Sequence, residues 1–177
     1  LYIADDPELQ VDLRRAALLT ERFNRSSVAG PAERRAILEE LLGSIGDGVD
    51  VRPPFHCDYG YQLHIGARTF VNFGLVALDV AEIRVGEDVQ MGPYVQLLTA
   101  THPTDSEKRR EKWESGRPIT IGANVWLGGG VIVGPGVSIG ANTVVGSGAV
   151  VVRDLPPDVV AVGNPARILR DPGQAAD

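Results

Sequence analysis

Cysteine is almost missing from this sequence: Cys57 is the only one, so no disulfide can close within the chain, and no CxxC or CxxH pair offers a zinc site. That usage suits a reducing compartment, and a cytoplasmic location is expected. Basic residues are in deficit as well, with 17 Lys and Arg against 23 Asp and Glu and a net charge of -6. Nonspecific nucleic-acid binding depends on cations that neutralise phosphates, so no nucleic-acid partner is expected. Long apolar runs are also lacking. The longest, Thr143 to Val152, falls well short of the roughly 20 residues a membrane-spanning helix needs. No signal-peptide pattern is visible, and no membrane partner is expected.

Glycine and proline are plentiful instead, 21 and 12 in 177 residues, beside a hydrophobic content of 44%. That apolar content is too high for a disordered chain and suits one globular domain. The glycine excess therefore needs a structural cause, and the cause is a repeat. From Ile121 the chain reads IGANVW, LGGGVI, VGPGVS, IGANTV, VGSGAV and VVRDLP. Ile121, Leu127, Val133, Ile139, Val145 and Val151 stand six residues apart, and the first five are each followed by glycine. Val125, Val131, Val137, Thr143 and Ala149 form a second column of small or β-branched residues.

A helix would space its apolar residues three and four apart, and a half-buried strand would alternate them. A six-residue period fits short strands joined by tight corners, stacked as coils about 4.8 Å apart. Corner residues such as Gly136, Asn124 and Asn142 tolerate positive φ. Fainter copies start at Ile65, Val71, Val85 and Met91. Between Val71 and Val85 the phase slips by two residues, which predicts an irregular corner near Leu78 to Ile83. From Leu97 to Ile121 the phase survives a polar, charged stretch, so residues from about 103 to 117 read as a loop extruded from the solenoid.

The first 45 residues have a different character. Asp6-Pro7-Glu8 signals a helix start, and Leu9, Leu13, Ala16, Ala17 and Leu18 supply its expected apolar face. A second helix is predicted from near Pro31 to Gly43, burying Ile37, Leu38, Leu41 and Leu42. Both should cap the open end of the solenoid and protect its strand edges. The expected organisation is a mainly β chain with a helical cap over 1–45, a solenoid over 46–170 and a tail over 171–177.

LYIADDPEL, RPPFHCDYGYQLHIG, FVNFG, LLTATHPTD, PITIGANVWLGGGVIVGPGVSIG and RDLPPDVVAVGNPARIL together resemble the hexapeptide-repeat acyltransferases, specifically the maltose and galactoside O-acetyltransferase branch. The resemblance runs essentially end to end. It implies a left-handed parallel β-helix, a homotrimer with active sites between subunits, acetyl-CoA as co-substrate without a metal, and a sugar hydroxyl as acceptor.

In TATHP, His102 takes the place of the general base, a role suited to a residue type that titrates near neutral pH. Taken alone it reads more readily as a surface residue. Asp6, Asp58, Asn72 and Asp79 match acceptor-facing positions; Asp6 also reads as a helix cap, with Asp5 a second choice, while Asn72 and Asp79 also read as corner residues. Trp126 matches a residue that orders the site near the thioester, and either its indole or a backbone N–H would hold the oxyanion. For acetyl-CoA the matching positions are Gly129, Ser147, Val152, Arg153, Arg167 and Arg170, of which Arg170 also reads as a solvated basic edge. Cys57 is next to a general base in no recognisable nucleophile motif, which disfavours a covalent acetyl-enzyme.

Three further readings compete. An acetyltransferase for a non-sugar or xenobiotic alcohol would make the same demands on His102. A γ-type carbonic anhydrase would need His56, His64 and His102 gathered on one metal. A non-enzymatic binding solenoid would leave the extruded loop without a use.

Overall fold

Each hexad ends a short strand. Ile121 closes Ile119–Ile121, Leu127 closes Trp126–Leu127 and Val133 closes Ile132–Val133. Three hexads make one coil, because Ile121 pairs in parallel with Ile139, Leu127 with Val145 and Val133 with Val151. The result, a computed structural model that describes residues 1–26 and 30–170, is a parallel β-helix with three walls. The first wall stacks Phe55–Cys57, Leu75–Leu78, Gln96–Leu98, Ile132–Val133 and Val150–Val151. The second stacks Ser44–Ile45, Leu63–Ile65, Ile83–Val85, Ile119–Ile121 and Ser138–Ile139. The third runs from Asp50–Val51 through Phe70–Val71, Gln90–Met91, Trp126–Leu127 and Val144–Val145 to Val160–Val162, and the last strand, Arg167–Arg170, folds back antiparallel on it.

Ile65, Val85 and Ile121 form one inward column, and Val71, Met91 and Leu127 form another; all are buried. Val125, Val131 and Ala149, 0% exposed, fill the space behind the corners. A single apolar core therefore runs the length of the coil, each residue supported by its equivalents above and below.

Glycine serves two purposes here, and only one was anticipated. Gly136 has φ of 81°, the left-handed conformation that a tight corner demands. Gly122, directly after an inward aliphatic residue, is there for space instead: a Cβ on it would lie 2.6 Å from the backbone nitrogen of Ala141 one coil on. On the outer side of such corners, Asn124, Asn142 and Asp158 adopt positive φ and join in a ladder, Asn124 Nδ2 donating to Asn142 Oδ1 at 3.0 Å and Asn142 Nδ2 to Asp158 Oδ1 at 2.8 Å.

The cap consists of helix α1, Pro7–Asn24, and helix α2, Pro31–Leu41. The second behaves as expected, with Ile37, Leu38, Leu41 and Leu42 all buried. The first is rotated from its expected face. Ala16, Leu19, Thr20 and Phe23 point inward, while Ala17 and Leu18 are exposed. Phe23 decides the rotation by packing edge-on against Phe55 of the first coil at 6.3 Å. Asn24 joins the same junction, accepting from Phe55 N at 2.8 Å and donating to Phe55 O at 2.9 Å.

The phase slip falls where the spacing predicted, between Leu75–Leu78 and Ile83–Val85. The extruded segment leaves the solenoid after the first wall, but it is not an irregular loop. Ala100–Thr101 pairs antiparallel with the returning strand Trp113–Gly116, and the N-terminal strand Tyr2–Ile3 pairs on that strand's other side. Helix α3, Ser106–Arg110, sits at the tip under an Asp105 cap that accepts from Glu107 N and Lys108 N. Among the described residues no helix is long and apolar enough to cross a membrane. The tail over 171–177 lies outside the described residues.

Candidate active site

Each of the three turns between walls forms an edge along the solenoid, and most of the expected site residues of the coils sort onto two of these edges. Asp58, Asp79, His102, Val152 and Arg153 all follow strands of the first wall, on the edge that leads to the second. Leu97, Val133 and Val151 stack in register, so Val152 stands two coils beyond the point where the His102 excursion departs. Asn72, Gly129 and Ser147 follow strands of the third wall, on the edge that leads to the first. Trp126 lies on the third wall with its side chain outward and 55% exposed. Gly148 N donates to Gly129 O at 2.9 Å, so Gly129 and Ser147 sit at matching corners of successive coils.

His102 extends past Ala100–Thr101 with its side chain 54% exposed, and its Nδ1 lies 3.6 Å from Glu114 Oε1. The other oxygen, Oε2, accepts from the Tyr2 hydroxyl at 2.9 Å. Neither partner was expected from the sequence. Glu114 belongs to a four-residue strand inside what reads as a charged loop, and Tyr2 lies 112 positions away from it. The one local signal was the apolar pair Tyr2-Ile3 just before the Asp6 cap, a pattern too short to show strand periodicity.

Beside this pair opens a cleft of about 250 Å³, lined among others by Tyr2, Asp5, Gln10, Asp58, Tyr59 and Glu114. Three carboxylates and an amide thus face one space, the donor and acceptor set that polyol hydroxyls require. Asp5 is among the residues lining this cleft and Asp6 is not. Asp6 caps α1, its side chain accepting from Glu8 N at 2.9 Å, and that bond explains its presence without a ligand.

Asp79 also departs from expectation. The resemblance implies that it faces the acceptor, but it is 0% exposed. Its Oδ1 accepts from Asp58 N at 3.0 Å and Tyr59 N at 2.8 Å, and its Oδ2 from Gln62 N at 3.3 Å. The irregular corner buries the carboxylate where the preceding coil offers unpaired N–H groups, so Asp79 shapes the cleft from beneath. Burial pushes its carboxyl above the usual carboxylate range, against the pull of those N–H donors.

Asp58 lines the cleft directly. Burial, then the charges of Asp79 and Glu114, raise its carboxyl from 3.8 to about 6. A carboxyl raised in the folded state holds its proton more tightly folded than unfolded. Its contribution to stability is complete below about pH 4 and is lost as the pH rises through about 6. Asp58→Asn is therefore expected to melt higher than the parent at pH 7 and level with it near pH 4. Thermal scans across that range check this, and equal midpoints at pH 7 would count against the cluster.

The remaining expected residues are dispersed. Asn72 is not on the cleft; its Oδ1 accepts from Phe73 N at 2.9 Å, a corner contact. Arg153 and Arg167 are exposed, and the side chain of Arg170 lies outside the described residues. His56 is on the first wall, while His64 is on the second beside Ser44 and Glu82. These two and His102 do not converge, and among the described residues no group of three or more His, Cys, Asp or Glu is placed to hold a metal ion. Burial raises the Cys57 thiol to about 12, so it is a poor nucleophile.

The maltose acetyltransferase hexapeptide capping motif matches residues 1–46, and the bacterial transferase hexapeptide (six repeats) matches residues 118–153. The chain is similar to nodulation protein L of Rhizobium meliloti (strain 1021), with 48% identity over 95% of this chain and 92% of that protein. A maltose O-acetyltransferase from Clostridium difficile 630 superposes with a TM-score of 0.95 and 42% identity, over 98% of this chain and 92% of that one. A hexapeptide-repeat acetyltransferase from Vibrio cholerae O1 biovar eltor, solved in complex with acetyl coenzyme A, superposes with a TM-score of 0.92 and 39% identity, over 98% of this chain and 94% of that one. Coil, cap and sequence agree along nearly the whole length, and the chain belongs to the maltose and galactoside O-acetyltransferase family of hexapeptide-repeat acyltransferases.

Proposed function

We propose that this enzyme transfers acetyl from acetyl-CoA to a hydroxyl of a sugar-like acceptor, with His102 as the general base. The observation that carries this reading is His102 Nδ1 at 3.6 Å from the carboxylate of Glu114, which itself lines a cleft together with Asp5 and Asp58. A carboxylate at Nδ1 favours the tautomer with Nε2 bare, and Nε2 then takes the proton of the acceptor hydroxyl. As that hydroxyl oxygen bonds to the thioester carbonyl carbon, the imidazolium is stabilised by Glu114. When the carbon–sulfur bond breaks, His102 returns the proton to the leaving thiolate. Acetyl-CoA supplies only the activated acetyl group.

The sorting of residues onto two edges favours a site shared between subunits. His102, Glu114, Asp58, Val152 and Arg153 on one subunit would face the edge of a neighbour that carries Asn72, Trp126, Gly129 and Ser147, in a homotrimer. Within that arrangement the pantetheine arm runs along the Val152 edge toward His102, with exposed Arg153 and Arg167 available to phosphate oxygens.

The test is a panel of glucose, maltose, a galactoside and a simple alcohol, each incubated with enzyme and acetyl-CoA, with free thiol as readout. Thiol release well above the acceptor-free rate is expected for at least one sugar. Release with the alcohol alone would replace the sugar with a xenobiotic acceptor. No release with any of them would remove glucose, maltose and galactosides as acceptors and overturn the sugar reading.

A further inference from the structure

Glu114 sits in the middle strand of the small antiparallel sheet. On one side Tyr2 pairs directly opposite Glu114. On the other, Ala100 pairs with Gly116 and Thr101 with Ser115, and the next step of that register brings His102 opposite Glu114. Residues directly opposite on neighbouring strands share a face and touch. Both contacts are made here: the Tyr2 hydroxyl donates to Oε2 at 2.9 Å, and His102 Nδ1 lies 3.6 Å from Oε1. A single cross-strand row thus carries phenol, carboxylate and imidazole, and the carboxylate divides its two oxygens between the other two.

We propose that Tyr2 is a positioning residue for acetyl transfer: by holding Oε2 of Glu114, its hydroxyl turns Oε1 toward His102 Nδ1 and so aims Nε2 at the acceptor. This rests on His102 as the general base.

The need for such a device follows from exposure. The His102 side chain is 54% exposed and the Glu114 side chain 22%. An exposed ring is held only as firmly as the group that orients it, and a carboxylate free to rotate would orient it poorly. The Tyr2 phenol can serve throughout the working range. Burial first, then its hydrogen bond to Glu114, keep it protonated well above the ordinary value for tyrosine. The hydroxyl is not what holds the N-terminal strand in place. Backbone pairing of Tyr2 and Ile3 with Glu114 and Trp113, and Ala4 N donating to Lys112 O at 3.3 Å, do that independently. Tyr2→Phe therefore removes one hydrogen bond and leaves the sheet.

The experiment is a cycle of Tyr2→Phe, Glu114→Gln and the double variant, assayed with acetyl-CoA and the best acceptor among glucose, maltose and a galactoside. Tyr2→Phe is expected to lower kcat about tenfold, the order of a hydrogen bond to a charged group. Its KM for acetyl-CoA stays within about twofold, because the lost interaction concerns the chemical step. Glu114→Gln loses at least as much, and the double variant is no slower than Glu114→Gln alone, because Tyr2 acts only through that carboxylate. Unchanged kcat in Tyr2→Phe, losses that multiply in the double variant, or a Tyr2→Phe chain that does not fold would each overturn the proposal. His102→Ala is run alongside. Turnover surviving in it overturns the general-base reading itself, whereas a dead His102→Ala beside a fully active Tyr2→Phe overturns only the role of Tyr2.

Discussion

His102→Ala lowers kcat by about 10²–10⁴-fold, the usual contribution of a positioned general base, and leaves acetyl-CoA binding nearly intact. The separation of the two effects follows from where the groups lie. His102 leaves the solenoid after Gln96–Leu98, while Val152 and Arg153 lie two coils farther along that edge, and Gly129 and Ser147 lie on another edge altogether. Removing an imidazole that is 54% exposed takes no backbone hydrogen bond with it and little buried area. Free-thiol release measures the turnover, and the shift in melting temperature on adding acetyl-CoA measures the binding. Parent-like turnover would remove His102 from the chemistry. A lost thermal shift would instead mean that the histidine holds the thioester.

The second large effect concerns stability. Asp79→Ala strips the acceptor from the N–H groups of Asp58, Tyr59 and Gln62 beneath a residue that is 0% exposed. A buried donor left without a partner costs about 1–3 kcal/mol, and release of a buried charge offsets part of the loss, so a net destabilisation of about 3 kcal/mol is expected. Asp79→Asn is milder, about 1 kcal/mol by the same scale, because its remaining carbonyl oxygen still accepts from Asp58 and Tyr59 while only the longer contact to Gln62 meets an NH₂ group. Chemical denaturation checks both. The pair also separates two roles: a carboxylate that touched the acceptor would raise the acceptor KM in Asp79→Asn at unchanged stability. Asp79→Ala within about 0.5 kcal/mol of the parent would show that water satisfies those N–H groups.

Much of the fold was legible in the residues because a solenoid is local. Val133 meets Val151 one coil away in the same repeat, so the pattern that stabilises the core is printed along the chain. The phase slip was legible for the same reason, and it located the corner that holds Asp79. The face of α1 was less so. Leu18 and Leu19 are adjacent, and only Phe55 of the first coil, packed on Phe23, selects Leu19 for the core and leaves Leu18 59% exposed. Motif resemblance singled out His102 and Asp58, but not Glu114 and Tyr2, which the structure brings against them.

By itself, then, the sequence determined the β-helix, the two inward columns, the capping helices and the place where the chain leaves the coil, because each of these depends on neighbours at most one coil distant. Tertiary structure alone decided that Asp5 rather than Asp6 lines the cleft, that Asp79 is consumed by backbone N–H groups, and that Tyr2, Glu114 and His102 form one row. Asp79 meets its partners one coil away, but the row turns on pairing between the first strand and the returning limb of the extruded segment, 112 positions apart. A contact between such distant segments occurs once and leaves no period, so it becomes visible only when the chain has closed on itself.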